Sequence, residues 1–508
     1  MNATTSVDLL VIGGGVNGAG IARDAAGRGL SVLLCEQGDL AGATSSASSK
    51  LIHGGLRYLE YGQLLFVREA LIERQALLRI APHIVWPGRF ILVHDKRLRP
   101  ALLIEAGLFF YDHLAARGPL ARSRRLDFRN SKEGIPLKQQ FKTGFAYSDA
   151  QADDARLVVL NAVDARLRGA EIRTRTRCVA VQRSGGLWQA SLLDVRRGER
   201  RMISARALVN AAGPWAEEVA LLAGRKAPQK LRLVKGSHII VPRLYAGEHS
   251  YVLQSKDRRI IFVMPYEKDY SLVGTTEVPF SGDPAEARMD TDEAAYLCAA
   301  VSAYFRKPLM PSDVKASFAG VRPLYDERVR GGSAASRGYV LDVDVPPGGP
   351  PLLSAFGGKV TTYRRLAEEA VTKLAPYLNP PRPKPWTAEN PLPGGDLGVG
   401  GFDGFLAAFS KRYPWLGTGT ARRLARAYGT RAEMILGGKT SPDGLGTHFG
   451  AGLFQSEIDY LLAEEFAITA EDVLWRRSKL GLHLSSEDVA RVAEYVTAAY
   501  PEAERSNA

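Results

Sequence analysis

Residues 7–36 read VDLLVIGGGVNGAGIARDAAGRGLSVLLCE. An apolar run, Val7 to Ile12, ends in Gly13, Gly14 and Gly15. A stretch of small residues, Val16 to Arg28, follows and stops at Gly29. A second apolar run, Leu30 to Cys35, ends at Glu36. Short continuous apolar runs predict buried parallel strands. The Ala-rich middle predicts a helix with Gly29 as its C-terminal cap, so the chain opens with a βαβ unit. Gly13, Gly15 and Gly18 form G-x-G-x-x-G, with Asn17 inside the motif. The first glycine permits the tight turn, the second lets backbone approach a pyrophosphate, and the third lets helix and strand pack closely. The helix presents free N–H groups and about half a positive charge to the phosphates. Glu36 lies 18 positions beyond Gly18, suitably placed to accept hydrogen bonds from a ribose diol and to repel a 2′-phosphate.

FAD and NAD share this fingerprint, so the motif alone does not choose between them. The continuation does. The second strand runs into a Ser/Thr/Ala segment, 42–50, that includes Thr44, Ser45, Ser48, Ser49 and Lys50, and then into His53-Gly54-Gly55-Leu56-Arg57-Tyr58. That is a polar, glycine-rich loop suited to cover a flavin, where an NAD domain would continue into an adjacent mononucleotide half.

The 508 residues are 45% hydrophobic and 24% charged, values of a folded chain rather than a disordered or fibrous one. No run approaches the ~18–20 apolar residues of a membrane span, and the N-terminal stretch lacks the cationic start of a signal peptide. Cys35, Cys178 and Cys298 are too few and scattered for a disulfide framework or a metal cluster, which fits a cytoplasmic setting and no metal. The net charge of +13 is compatible with nucleic acid, an anionic membrane surface or anionic substrates. Residues 396–508 hold 12 basic and 15 acidic side chains, so the positive excess lies upstream. Strand-like patterns recur at 171–181, 188–193, 203–210, 237–241, 260–264, 271–274 and 352–356, with helical patterns at 64–78 and 362–374. A segment with six prolines, 379–395, reads as a stiff linker. The pattern beyond it is helical.

Seven ordered blocks carry a family resemblance: residues 8–36 quoted above, ATSSASSKLIHGGLRYLE from Ala43, DDARL from Asp153, LVKGSHIIVP from Leu233, GTTE from Gly274, GVRPLYD from Gly320 and FGGKVTTYR from Phe356. Through them the sequence resembles the FAD-dependent, respiratory glycerol-3-phosphate dehydrogenases. The resemblance implies an α/β fold: a Rossmann-like FAD-binding domain, an antiparallel-sheet substrate domain of the D-amino-acid-oxidase type, and an all-α C-terminal domain. Domain expectations are FAD-binding segments at 1–80, 151–225 and 321–378, a substrate or membrane-facing insertion at 81–150, a substrate domain at 226–320, the linker at 379–395, and helices over 396–508. FAD contacts are expected at Gly13, Gly15, Asn17, Gly18, Glu36, Thr44, Ser45, Ser48, Ser49, Lys50, His53, Gly54, Val179, Gly213, Gly357, Gly358, Lys359 and Val360. The resemblance places Arg57, Arg322 and Lys359 at the substrate, with Tyr58 and Thr275 as hydrogen-bonding neighbours. Two departures stand out: Ala212 precedes Gly213 where the superfamily often has Thr, and Glu277 replaces the family's usual Asp.

Glycerol 3-phosphate is a small dianion whose oxidation removes a hydride from C2 and a proton from its hydroxyl. Arginine suits the phosphate through its planar fork. For the proton, His238 is the favoured base; His53 in the flavin loop, or water beside a cation that lowers the hydroxyl pKa, are the alternatives. The resemblance further implies electron transfer to membrane quinone. Residues 100–116 carry an apolar stretch bracketed by Lys96, Arg97 and Arg99 and by Arg117, Arg122, Arg124 and Arg125, a pattern suited to a helix lying on an anionic membrane surface. The expected location is therefore the inner face of the cell membrane. An oxygen-using oxidase of the same superfamily is the alternative enzyme. A basic nucleic-acid-binding protein finds no supporting motif, so nucleic acid is not an expected partner. The C-terminal helices suit either a homodimer contact or a shield over the flavin domain.

Overall fold

The computed structural model describes residues 5–95, 99–225, 231–255, 257, 259–325 and 338–499. The opening unit forms as read: β1 (Thr5–Ile12), α1 (Val16–Gly27) and β2 (Val32–Cys35). β1 sits in the middle of a sheet ordered Tyr339–Asp344, Leu352–Gly357, Arg200–Asn210, β1, β2, Glu171–Arg173. From Leu352–Gly357 to Glu171–Arg173 the pairs are parallel, and their apolar residues are buried on both faces.

One face of this sheet is covered by α1, by a helix at Tyr363–Leu378 and by the helix starting at Asp154. The Pro-rich segment is more than a spacer. Its Trp386 lies against Gly27 so closely that a Cβ there would fall 2.0 Å from the indole. Arg28 donates to Pro383 O at 2.9 Å, and Leu392 N to Ile80 O at 2.8 Å. These contacts fasten the segment along α1.

A second sheet of ten strands is nearly all antiparallel. Strands from the insertion, Val85–Val93 and Thr143–Ala152, join strands of the substrate region, with Ser250–Gln254 pairing parallel to Val85–Val93 as the bridge. The strand Ala316–Tyr325 runs on across the boundary expected between 320 and 321, pairing with Leu231–Pro242 over its whole length. Helix α2 (Leu64–Ile80) and helix α3 (Ala101–His113) pack on this sheet through Val67, Leu71, Leu108 and Tyr111. No helix among the described residues is long and apolar enough to cross a membrane.

Beyond the linker, helices from Gly401 to Ala499 enclose their own core of Phe409, Leu424, Ile435, Leu461 and Val492. This domain is joined to the first by charge. α4 (Asp154–Leu167) is capped by Asp153, which accepts the Arg156 N–H. The Arg156 guanidinium makes a fork-to-fork pair with Glu465 of the helical domain, both side chains fully buried, and Lys479 pairs with Asp153. Removing one partner of a buried pair strands the other charge, at a cost of about 3–5 kcal/mol. Glu465→Ala is therefore expected to lower the free energy of unfolding by about that amount in urea denaturation. A change within about 1 kcal/mol would show that the pair does not bind the two domains.

Candidate active site

All the expected site residues except three line one cavity of about 3310 Å³, several times the volume of an ordinary small-ligand pocket. Its walls come from the turns at the carboxyl ends of the parallel strands and from one face of the second sheet.

The dinucleotide end is built by α1. Gly13 has φ +114°, and a Cβ there would lie 2.5 Å from Ala211 O, so only glycine makes this turn. Gly15 offers no side-chain cap to α1, leaving first-turn amides directed at the cavity; Val16 N donates to Ser45 Oγ at 3.0 Å. Glu36 is fixed by two backbone amides, Gly14 N and Gly38 N, each at 2.7 Å. Burial raises its pKa, and those hydrogen bonds oppose the rise. Val179 lies where the register between Cys178 and Ala180 shifts; as the extra residue of a bulge, its backbone leaves the ladder at the cavity wall. Asn17 donates to Gly357 O at 3.2 Å while its buried Oδ1 has no protein partner. A free acceptor, open helix amides and an oriented carboxylate fit a dinucleotide.

Three expected contacts stand back from the wall. Gly18 packs on the turn, where a Cβ would fall 1.9 Å from Gly13 O, so it sets the helix–strand distance. Lys50 is turned inward by Asp154, whose carboxylate takes Lys50 Nζ at 2.8 Å and Ser48 Oγ at 2.6 Å. Gly54 faces Tyr111, and its N–H donates to the Tyr111 hydroxyl at 2.8 Å. All three sit next in sequence to residues that do line the wall. Asp154, with Asp153 and Arg156, reads in the sequence as a helix start or as a group that helps close the flavin domain; in the structure it begins α4 and holds the loop inward.

Next comes the region where the loop and the late strand meet. His53 N donates to Thr361 Oγ1 at 3.2 Å, which draws the glycine loop against the turn Gly357-Gly358-Lys359-Val360. Gly357 and Gly358 have φ +75° and +103°. Gly213, Thr44 and Ser49 line the same space, with the Thr44 hydroxyl donating to Val321 O at 2.6 Å. The Lys359 ammonium lies 4.1 Å from the ring centres of both Tyr58 and Phe66, cation–π contacts that orient it. Phe66, on α2, carried no signal in the sequence. Arg57 is exposed at the cavity rim.

The third region is on the second sheet. Gly236 and His238 lie two apart on one strand and so share a face. Arg322 crosses over Gly236; a Cβ there would come 2.2 Å from Arg322 Nη2. That guanidinium donates to Thr275 Oγ1 at 2.9 Å and faces Glu277 Oε1 at 3.4 Å. The longer acid at 277 thus reaches the arginine. Behind Thr275, Thr276 and Ser237 both donate to buried Glu293, which fixes the turn. The His238 ring is buried, stacks on Phe318 at 4.9 Å, and has Nε2 at 2.9 Å from Ser49 Oγ. Its Nδ1 has no protein partner. Burial, then the Arg322 and Lys50 charges, hold its pKa well below the usual 6.5. The cavity therefore joins a dinucleotide-shaped end to an end with two cations and a neutral imidazole.

Comparison with known proteins agrees. Residues 8–364 match the FAD dependent oxidoreductase family, and residues 386–506 match the C-terminal domain of alpha-glycerophosphate oxidase. A glycerol-3-phosphate dehydrogenase of Pseudomonas aeruginosa is 52% identical over 99% of this chain and 97% of its own. A D-erythritol 1-phosphate dehydrogenase of Brucella abortus is 47% identical over 96% of this chain and 97% of its own. The crystal structure of the Bacillus halodurans glycerol-3-phosphate dehydrogenase, complexed with FAD, is 29% identical with a TM-score of 0.78, covering 99% of this chain and 93% of that one. The fold, the cavity and these likenesses agree: the chain belongs to the FAD-dependent oxidoreductases, in the glycerol-3-phosphate dehydrogenase family.

Proposed function

We propose that this protein oxidises sn-glycerol 3-phosphate at C2 to dihydroxyacetone phosphate at the His238–Arg322–Lys359 end of the cavity, and that the electrons leave FAD for a membrane quinone. The observation that carries the reading is that Arg322, lying across Gly236 beside a neutral His238 on one sheet face, lines the same cavity as the dinucleotide turn. FAD, when bound, supplies the two-electron acceptor for the hydride from C2. Arg322 presents a planar fork to the phosphate, held by Thr275 and Glu277 in that direction. Lys359, between two rings, adds positive charge near the substrate oxygens, with Tyr58 and Arg57 at the rim. His238 takes the hydroxyl proton as general base, and Ser49 Oγ, 2.9 Å from its Nε2, orients the ring.

The exposed apolar side chains support a membrane surface. Leu102 and Phe109 on α3 are 77% and 61% exposed, and Leu65 on α2 is 77% exposed. Leu103 and Phe110 are exposed too and also line the cavity, so the apolar rim is continuous with the redox space, as a lipid-soluble acceptor needs. Arg99, Arg124 and Arg125 stand exposed nearby; Lys96 and Arg97 lie outside the described residues. Each cation near an anionic surface contributes up to ~1 kcal/mol, and each large apolar chain withdrawn from water about 1.5–3 kcal/mol. We read the protein as peripheral to the inner face of the cell membrane. The buried pairs between the domains favour a shielding role for the helices over a dimer contact.

Four results are expected. Anaerobic glycerol 3-phosphate bleaches the oxidised-flavin absorbance of the FAD-loaded protein, and quinone restores it faster than oxygen does. In Arg322→Ala the kcat/KM for bleaching falls by roughly 10- to 100-fold, the loss of charge-assisted hydrogen bonds worth about 1.5–3 kcal/mol. A yellow protein bleached by erythritol phosphate instead would move the substrate to a longer polyol phosphate. The neutral form of His238 is the base and its folded pKa lies below 6.5. Its protonation thus costs flavin-reduction rate only as pH falls below that value. An acid limb centred above about pH 7 that vanishes in His238→Gln contradicts this assignment. Replacing Leu65, Leu102 and Phe109 together by Glu is expected to abolish co-sedimentation with phosphatidylglycerol vesicles while leaving reduction of a soluble dye intact; vesicle binding equal to that of the parent protein overturns the docking surface.

A further inference from the structure

Two residues of the helical domain, Glu471 and Arg476, line the cofactor cavity. They lie at its far end from the substrate cations. Glu36 marks the ribose position and the glycine turn the pyrophosphate. The wall beyond Glu36, formed by Gln37, Gly38 and Val179, therefore faces the adenosine, and Arg476 and Glu471 border the same space.

Arg476 is held from behind. Its Nε lies 2.5 Å from Asp39 Oδ2, and its other nitrogens meet Glu471 at 2.7 Å and Asp472. Asp39 also takes Arg477 at 2.6 Å, and Asp472 takes Arg175 at 2.7 Å. The residues sit on a widened helical turn, Asp472–Arg477, anchored to both sides of the β2 exit. A guanidinium immobilised this way offers a planar face and N–H edge with most of its ordering cost already met. Glu471 is 69% exposed at its side chain, so the wall ends at solvent.

We propose that Arg476 contacts the adenosine half of FAD, with Glu471 steadying it, so that the cofactor is held between the two domains. This adds a cofactor contact from a domain distant in sequence from the dinucleotide motif. It also makes FAD retention depend on how firmly the helical domain is docked, because a ligand bound by both domains stabilises their contact.

The test uses the full-length apoprotein and isothermal titration with three probes: FAD, ADP (the adenosine and pyrophosphate half) and FMN (the flavin half). Arg476→Ala is expected to weaken FAD and ADP by about tenfold and leave FMN unchanged. Glu471→Gln, which alters only the solvent-side partner of Arg476, weakens the same two by a smaller factor. Should Arg476→Ala fail to fold, Arg476→Lys decides: it keeps a charge beside Asp39 but lacks the planar face, and the same selective loss is expected. Parent-like FAD and ADP affinity in these variants overturns the proposal. So does an equal loss for FAD, ADP and FMN, which marks general loosening of the domain contact rather than an adenosine contact.

Discussion

The whole arrangement depends on how closely α1 passes its own strand. Gly18 sits so near the Gly13 carbonyl that no side chain fits between them. That closeness turns the helix immediately after β1 and sets its N-terminal turn, Gly15 to Asn17, at the cavity wall. Further along α1, Gly20 and Gly27 let the helix lie close to the helix at Tyr363–Leu378 and to Trp386. The late turn, Gly357 to Val360, is carried by the strand that leads into that same helix. The position of Lys359 is therefore tied to how that helix packs on α1.

Buried charge does the rest of the fastening. Asp153, Asp154 and Arg156 stand within four positions, yet each reaches a different part of the molecule. Asp154 turns Lys50 and Ser48 of the flavin loop inward, Asp153 meets Lys479, and Arg156 meets Glu465. One helix start thereby sets the loop over the cavity and the docking of the helical domain. Such pairs do little for stability against an apolar alternative, but they tolerate no other partner. That property suits a site assembled from distant segments.

The substrate end follows a different rule. Its groups come from neighbouring antiparallel strands, so their spacing is set by register. His238 pairs with Gly274 and Phe318, and Val234 with Arg322. The absence of side chains at Gly236 and Gly274 makes room for Arg322 and the imidazole respectively. A one-residue slip would turn both groups to the opposite face.

What the sequence determined by itself was local and repetitive: the strand–turn–helix–strand of residues 7–36, the helical C-terminal part, and the blocks that mark the family. Turns, caps and amphipathic periods depend on residues within a few positions of one another, so they can be read along the chain. The tertiary structure alone decided that Gly18, Lys50 and Gly54 face away from the cavity, that Phe66 joins Tyr58 around Lys359, and that Glu277 reaches Arg322. It alone brought Arg476 to the β2 exit and laid the proline segment along α1. Each depends on which segments meet after dozens or hundreds of residues, and on which side of a loop or strand faces the partner. Burial of apolar faces and pairing of buried charges settle those choices, and neither is expressed in a local pattern.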